Sequence, residues 1–380
     1  MQHRSKLPNV STTIFTVMSG LAQKYNAINL SQGFPNFDVN TELMDLVSNA
    51  MKNGNNQYAP MAGSLELRKE ISKKFELLYD SSYHPENEIT ITAGATQAIF
   101  TIISAFIAKD DEVIIFKPAY DCYEPSIELN GGNVIPIQLN APNYNVDWVE
   151  VENKITSKTK MIIFNTPQNP CGTIFSKDDL LQLHKLTENT NIIVLSDEVY
   201  EHIIFDRLQH ESVCKFKELK KRSFITASFG KTFHVTGWKI GYCCAPKDLM
   251  DEFRKAHQFN VFSVHHPSQV AIAEYLKQPN HYLELSSFYQ QKRDLFLELI
   301  KDSNFEFVPS QGTYFQNLSY ENISNEKDID FAKRLVTEFG IASIPLSVFN
   351  VSQQDDKMLR FCFAKKDETL KQAAEIINRI

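Results

Sequence analysis

The chain is expected to be an α/β protein: a mostly parallel seven-stranded sheet between layers of helices, joined to a smaller α+β domain. Three observations predict this. Between residues 88 and 245, seven short β-branched runs alternate with longer helical patterns. Beyond residue 280 the texture changes to a long charged helical stretch followed by short mixed elements. No internal repeat, low-complexity stretch or Pro/Gly/Ser-rich linker cuts the 380 residues into independent halves, so the two domains are interleaved.

Taken in order, residues 1–26 are apolar with little regular period and read as an arm that packs against something. Residues 27–39 and 279–380 are assigned to the small domain, and 40–278 to the large one. The seven runs are EITIT (88–92), DEVIIF (111–116), NVIPIQL (133–139), KMIIF (160–164), NIIVLSD (191–197), SFITASF (223–229) and WKIGYCC (238–244). In the small domain a helix is expected around Phe288–Ile300 and another in DIDFAKRLVTEFG. Strands are expected in IASIPL and MLRFCFA, followed by a terminal helix. Sheets of this kind bind ligands beyond the carboxyl ends of their strands, so the residues just after each run carry the functional information.

Composition excludes several classes. The 43% hydrophobic and 22% charged fractions are those of an ordinary globular protein, not of a disordered or collagen-like chain. Thirty-nine basic against 46 acidic residues leave a net charge of −7, which argues against a nucleic-acid backbone as partner. Any phosphate handled here is small and held at one site. The six cysteines, Cys122, Cys171, Cys214, Cys243, Cys244 and Cys362, form no CxxC pair or zinc spacing and read as reduced thiols. Neither a signal-peptide run nor a membrane span is visible, so a cytoplasmic location is expected.

The strand ends carry the chemistry. Gly230-Lys231-Thr232 is the tail of a Walker A motif, but Ile225 stands where its first glycine should be, and no GxGxxG follows any run. What remains is Lys231 at a strand end, with the Ser228 hydroxyl before it and the Lys239 cation after it. A lysine alone is most often a solvated surface group. In an apolar setting, though, burial disfavours its ammonium, and the free amine can condense with a carbonyl. Asp197 ends NIIVLSD, where a carboxylate could pair with a cationic ring nitrogen. KMIIF leads into Asn165-Thr166-Pro167-Gln168-Asn169-Pro170, a proline-punctuated turn presenting amides. EITIT leads into Gly94-Ala95-Thr96 and an apolar helix, whose free N–H groups suit a phosphate. DEVIIF leads into Tyr120, a flat stacking face. An anion cradle, a stacking ring, an amide, a carboxylate and an amine are together what pyridoxal phosphate requires.

The motifs GATQAIF, NTPQNPCG, SDEVY, SFGKTFHVTGWKIGY and RFCFAKK resemble, in order and spacing, the class I/II pyridoxal-phosphate aminotransferases of fold type I. The similarity runs over nearly the whole chain. KLPNVSTTIFTVMSGLAQ, INLSQGFPNFD and NQYAPMAG are most similar to the branch that contains bacterial methionine aminotransferase and the kynurenine aminotransferases. The cofactor motifs show no departure from the family's pattern, although Cys171-Gly172 follows Pro170 where many relatives carry Thr-Gly.

The resemblance implies a role for each site residue. Lys231 holds the cofactor covalently, is displaced by the substrate amine, and then carries the proton between substrate and cofactor. Asp197 keeps the ring nitrogen protonated, while Asn169 and Tyr200 bond the ring's phenolic oxygen. Tyr120 stacks on the ring, and Ala95, Thr96, Ser228 and Lys239 hold the phosphate. Tyr58 reaches the cofactor of a neighbouring subunit, which implies a homodimer with shared sites. Arg360 takes the substrate α-carboxylate, with Asn169 and Gly33 beside it. Phe15, Phe34 and Tyr58, with Phe262 as a further candidate, line a side-chain pocket for apolar or aromatic amino acids. The implied reaction is a ping-pong transfer between an amino acid and a 2-oxo acid, methionine first among donors and then phenylalanine or kynurenine.

Two rivals are weighed. A β-lyase acting on cysteine S-conjugates uses the same fold and the same carbanion. A non-catalytic sensor would need an added basic DNA-binding region, and intact Lys231, Asp197 and Arg360 argue against it. His265-His266 invites a metal reading, but neighbours on a strand face opposite ways and no acidic partner lies at ligand spacing, so no metal is expected.

Overall fold

The computed structural model describes residues 5–380. The first four residues of the expected arm lie outside it. Twelve strands follow in chain order: β1 (Ile28–Asn29), β2 (Ile89–Thr92), β3 (Glu112–Lys117), β4 (Asn133–Gln138), β5 (Thr159–Asn165), β6 (Ile193–Asp197), β7 (Ser223–Ser228), β8 (Gly241–Cys244), β9 (Phe315–Ser319), β10 (Ile341–Ala342), β11 (Ile344–Pro345) and β12 (Met358–Cys362). The large sheet has the order β2-β8-β7-β6-β5-β3-β4. Strands β3 to β7 pair in parallel, and β8 runs antiparallel to both its neighbours. The segment 229–240 between β7 and β8 holds only a short helical turn and a 3-10 turn, too little for the crossover helix that a parallel return needs. It therefore reverses the chain and leaves Lys231 in the reversal.

Alternation along the strands sorts the core into two layers. Val113, Ile115, Met161, Ile163 and Leu195 pack on one face with the helices Ala95–Phe106 and Lys247–Asn260. Ile114, Phe116, Ile162, Phe164 and Val194 pack on the other. With both faces covered, the strands read as continuous apolar runs, which is why they were visible in the sequence.

A second sheet, β11-β12-β9, is antiparallel, with Arg360 opposite Asn317 across β12 and β9. The pairing of β1 with β10 carries residues 28–33 to this sheet, where the Cys362 N–H donates to Leu30 O at 2.8 Å. That docking places Gly33 within reach of Lys231 despite their separation in sequence. Among the described residues no helix is long and apolar enough to cross a membrane.

Three local expectations need correction. The arm is not irregular throughout: Ile14–Lys24 is a helix, capped by the Thr13 hydroxyl, which accepts from the Thr16 N–H, and buried along Met18 and Ala22. The run WKIGYCC becomes strand only at Gly241, because Thr236–Trp238 is a 3-10 turn and Lys239 takes a left-handed conformation (φ 50°, ψ 51°). His265 and His266 lie on no strand. His265 precedes the helix His266–Tyr275, whose first turn tolerates Pro267 because the missing N–H would have no helical partner there.

Candidate active site

A cavity of about 170 Å³ opens where the carboxyl ends of β5, β6 and β7 meet the start of the helix Ala95–Phe106. Its wall gathers Ala95, Thr96, Tyr120, Asn169, Asp197, Tyr200, Ser228, Lys231 and Lys239, nine of the residues expected at the cofactor.

One end is built for an anion. Gly94 turns the chain from β2 into the helix with φ 78°, a conformation that favours glycine, and no side chain caps the N–H groups that follow. The Lys239 ammonium stands close by, 3.6 Å from where a Cβ on Gly94 would sit, and among the described residues it has no carboxylate partner. A Cβ on Gly241 would lie 2.4 Å from Ala227 O, so glycine is required there for the turn to pack this closely on β7. The positive helix end, the Lys239 charge and the Ser228 hydroxyl converge with no anion from the described residues.

Asp197 lies deep in the cavity. Its Oδ2 accepts from the Tyr123 hydroxyl at 2.6 Å, and its Oδ1 has only the Val199 N–H at 3.4 Å. Burial pushes its carboxyl up to about 6, opposed by the Tyr123 hydrogen bond. Among the described residues no cationic side chain hydrogen-bonds to it, which suits a protonated ring nitrogen. Tyr120 lies edge-on to Tyr123 with ring centroids 6.0 Å apart, and its hydroxyl is 3.3 Å from Thr96 Oγ1. Asn165, at the end of β5, donates to Asp197 O at 2.7 Å and accepts the Asn169 N–H at 2.7 Å, tying the amide turn to the aspartate strand.

Lys231 projects from the short helix Phe229–Thr232, and its Nζ donates to the Tyr314 hydroxyl at 2.8 Å and to Gly33 O at 3.1 Å. Burial without a contacting carboxylate lowers its ammonium to about 8. Free amine at this residue therefore appears as pH rises through about 8, well below the ordinary lysine value. Borohydride-trapped labelling of the cofactor-free chain by a small aromatic aldehyde should show this midpoint at Lys231, while surface lysines respond only at higher pH. Peptide mass spectrometry reads both, and a Lys231 midpoint shared with surface lysines would contradict the buried setting.

Arg360 on β12 is only 1% exposed. One arm donates to Asn169 Oδ1 at 2.6 Å and the other to Ser31 O at 3.1 Å, while Nε has no partner. The guanidinium carbon lies 3.9 Å from the Phe315 ring centroid and 5.2 Å from that of Phe15. Burial lowers its pKa, and no carboxylate among the described residues pairs with it. A buried cation without a counter-charge is costly, and a ligand carboxylate would relieve that cost. Gly33 is required for packing: a Cβ would meet Phe315 Cζ at 2.8 Å.

Other expected residues lie elsewhere. Phe34 is 45% exposed under the Lys365 ammonium and lines a separate shallow depression with Gln23 and Gln32. Tyr58 is 82% exposed, edge-on to Phe262, beside His265 and His266, and takes no part in the cavity of its own chain. Tyr123, Asn165 and Tyr314 were missed by sequence reasoning. The first two had signals, since Tyr123 stands three residues after the stacking tyrosine and Asn165 ends a strand. Tyr314 had none, because only the folded chain brings it to Lys231.

The donor set fits pyridoxal phosphate: an uncapped helix end with a free cation for the dianion, a buried carboxylate for the ring nitrogen, and a low-pKa amine for the carbonyl. The comparisons with known proteins agree. A family model described as aminotransferase class I and II matches residues 25–377. The chain is 45% identical to the methionine aminotransferase of Escherichia coli (strain K12), over 99% of this chain and 98% of that one. It is 32% identical to the kynurenine–oxoglutarate transaminase of Dictyostelium discoideum, over 95% and 92% respectively. A solved Escherichia coli structure, whose reactivity identifies a methionine aminotransferase function, superposes with a TM-score of 0.98, at 45% identity and full coverage of both chains.

Proposed function

Because the chain belongs to the class I and II aminotransferase family, and is a pyridoxal-phosphate-dependent transaminase, we propose that it moves the α-amino group of an apolar or aromatic amino acid to a 2-oxo acid. Methionine is the first donor to expect, since the Escherichia coli relative bears that name; kynurenine follows from the kynurenine transaminase, and phenylalanine has the aromatic character expected of a donor. The observation that carries the reading is the meeting of an amine lowered to about 8, a buried unpaired carboxylate and a buried unpaired guanidinium around one cavity.

Pyridoxal phosphate, when bound, supplies the carbonyl carbon that takes up the amino group and the ring that accepts the electron pair left on Cα. The chain's own residues do the rest. Lys231 would hold the cofactor until the substrate amine takes its place, and its freed amine would move the Cα proton. Asp197, oriented by the Tyr123 hydroxyl at 2.6 Å, would hold a proton on the ring nitrogen. Asn169 and Tyr200 would bond the ring oxygen, and Tyr120 would cover the ring. Ala95, Thr96, Ser228 and Lys239 would bind the phosphate. Arg360 forks onto the substrate carboxylate and orients Cα toward Lys231.

The exposed Tyr58 and its neighbouring histidines support a homodimer in which Tyr58 serves the partner's cavity. Free cysteines, five of the six buried, are consistent with a cytoplasmic location. Visible absorbance of the cofactor-loaded protein tests the function. The band should bleach with methionine and return with a 2-oxo acid. A band that ignores methionine but answers another amino acid would change the substrate and keep the reaction. Pyruvate and ammonia from a cysteine S-conjugate, with no added oxo acid, would instead favour β-elimination.

A further inference from the structure

Tyr200 lines the active-site cavity, but the residue after it does not. Glu201 turns onto the helix Leu65–Tyr79 and strand β8, where its carboxylate pairs with the Lys74 ammonium. Both side chains are only 3% exposed. Glu201 Oε1 also accepts from the Tyr242 hydroxyl at 3.0 Å, and Oε2 accepts from the Tyr79 hydroxyl at 2.6 Å. Lys74 in turn donates to the Tyr242 hydroxyl oxygen at 2.6 Å and stands 3.3 Å from His202 Nε2, whose ring lies against Tyr282. Burial opposes charge on Glu201, yet the facing Lys74 ammonium holds its carboxyl well below the ordinary range. Glu201 is therefore a carboxylate throughout the neutral range.

A buried ion pair is a poor source of stability. Taking both charges out of water costs about what their attraction returns, and apolar replacement of such a pair is often neutral or stabilising. What this pair fixes is position, because donors from two separate elements meet Glu201 in one geometry. Glu198, in the same turn, gives the contrast. Its partners are the Ser196 hydroxyl at 2.8 Å, His210 Nε2 at 2.8 Å and the Val213 N–H at 3.2 Å, all within residues 196–213. Glu198 stiffens its own segment, whereas Glu201 ties that segment to the helix Leu65–Tyr79 and β8.

Tyr200 sits where such a tie matters. The Glu201 N–H donates to Glu198 O at 3.0 Å and the Ile203 N–H to Tyr200 O at 2.8 Å, so residues 198–203 are turns and no longer part of the β6 ladder. Around its ring, Tyr200 meets Tyr314 and Phe315 edge-on, with centroids 5.2 Å and 6.1 Å away. Packed rings tolerate sliding; a carboxylate held by three donors does not. Resting on the Tyr200 contact proposed above, we infer that Glu201, held by Lys74, is a positioning residue: through the backbone it shares with Tyr200, it keeps the Tyr200 hydroxyl in reach of the cofactor's ring oxygen.

The pH midpoint of the visible band of the cofactor-loaded enzyme reads that contact. A hydroxyl donating to the ring oxygen favours its ionised form, so the proton held beside that oxygen leaves at lower pH, and loss of the bond raises the midpoint. Tyr200→Phe should raise it by about one pH unit, the weight of one hydrogen bond to a charged group. Lys74→Met/Glu201→Leu removes both charges together, so neither is stranded, and should raise it by at least about half a pH unit. In a Tyr200→Phe background the same two substitutions should add nothing, because the residue through which Glu201 acts has lost its hydroxyl. Glu201→Asp keeps the charge paired but shortens the tether by one methylene; it should raise the midpoint by about 0.3 pH unit, and it carries the test if the pair variant fails to fold. A midpoint unmoved by the pair variant, or by Glu201→Asp where only that variant folds, would overturn the positioning role. So would an equal rise with and without the Tyr200 hydroxyl, the mark of a general loosening of the site. A midpoint unmoved by Tyr200→Phe itself would overturn the Tyr200 contact, and this role with it.

Discussion

Lys231→Ala should yield a folded protein that still binds pyridoxal phosphate, now without a covalent bond, and turns over about 10⁴-fold more slowly. That loss is at the top of the range for a positioned acid–base group, because the same substitution removes both the anchor and the proton carrier. The fold should tolerate the change. Lys231 Nζ is buried and donates only to the neutral Tyr314 hydroxyl and Gly33 O, and the Tyr314 hydroxyl keeps its own bond to Gly33 O at 2.5 Å. Removing an ammonium whose burial is uncompensated by a contacting carboxylate should hold Tm level or raise it. Single-turnover kinetics and calorimetry read the two effects separately. Turnover at the unmodified rate would remove Lys231 from the mechanism, and a collapsed Tm would make the kinetic loss uninformative.

Arg360→Ala should lower kcat/KM by about 10²–10⁴-fold for every amino acid tested, since removing one partner of a buried ion pair costs about 3–5 kcal/mol. Uniformity is the diagnostic feature, since every α-amino acid presents the same carboxylate. Arg360→Lys should recover only part of the loss, because a point charge cannot reproduce the fork that now bridges Asn169 Oδ1 and Ser31 O. Steady-state kinetics with methionine, phenylalanine and kynurenine decide the matter. A loss confined to one of them would assign Arg360 to side-chain recognition instead.

Much of the large sheet was legible in the chain, for a physical reason. Buried on both faces, β3, β5, β6 and β7 are continuous apolar runs, and the residues that end them, such as Asn165, Asp197 and Ser228, break that texture with polar chemistry. The helix Ile14–Lys24 escaped notice because its apolar residues do not keep to one face: Val17 is exposed beside the buried Met18. The start of β8 was misplaced because the apolar texture of WKIGYCC does not reveal that Lys239 adopts a left-handed backbone. For the histidine pair the sequence does hold a helix-start signal, Pro267 in the first turn, which outweighs the strand reading.

The sequence by itself determined which side chains can do the chemistry and on which strand ends they stand, because periodicity and residue type are properties of each short segment. Only the tertiary structure decided how those groups behave. The amine of Lys231 is lowered because a segment nearly 200 residues away closes over it, and Tyr314 reaches it from the other side of the fold. Arg360 is a cation awaiting a carboxylate because Ser31, Asn169 and Phe315, from three separate parts of the chain, bury it without neutralising it. Desolvation and long-range hydrogen bonding depend on what surrounds a residue, and no local pattern in the chain records that.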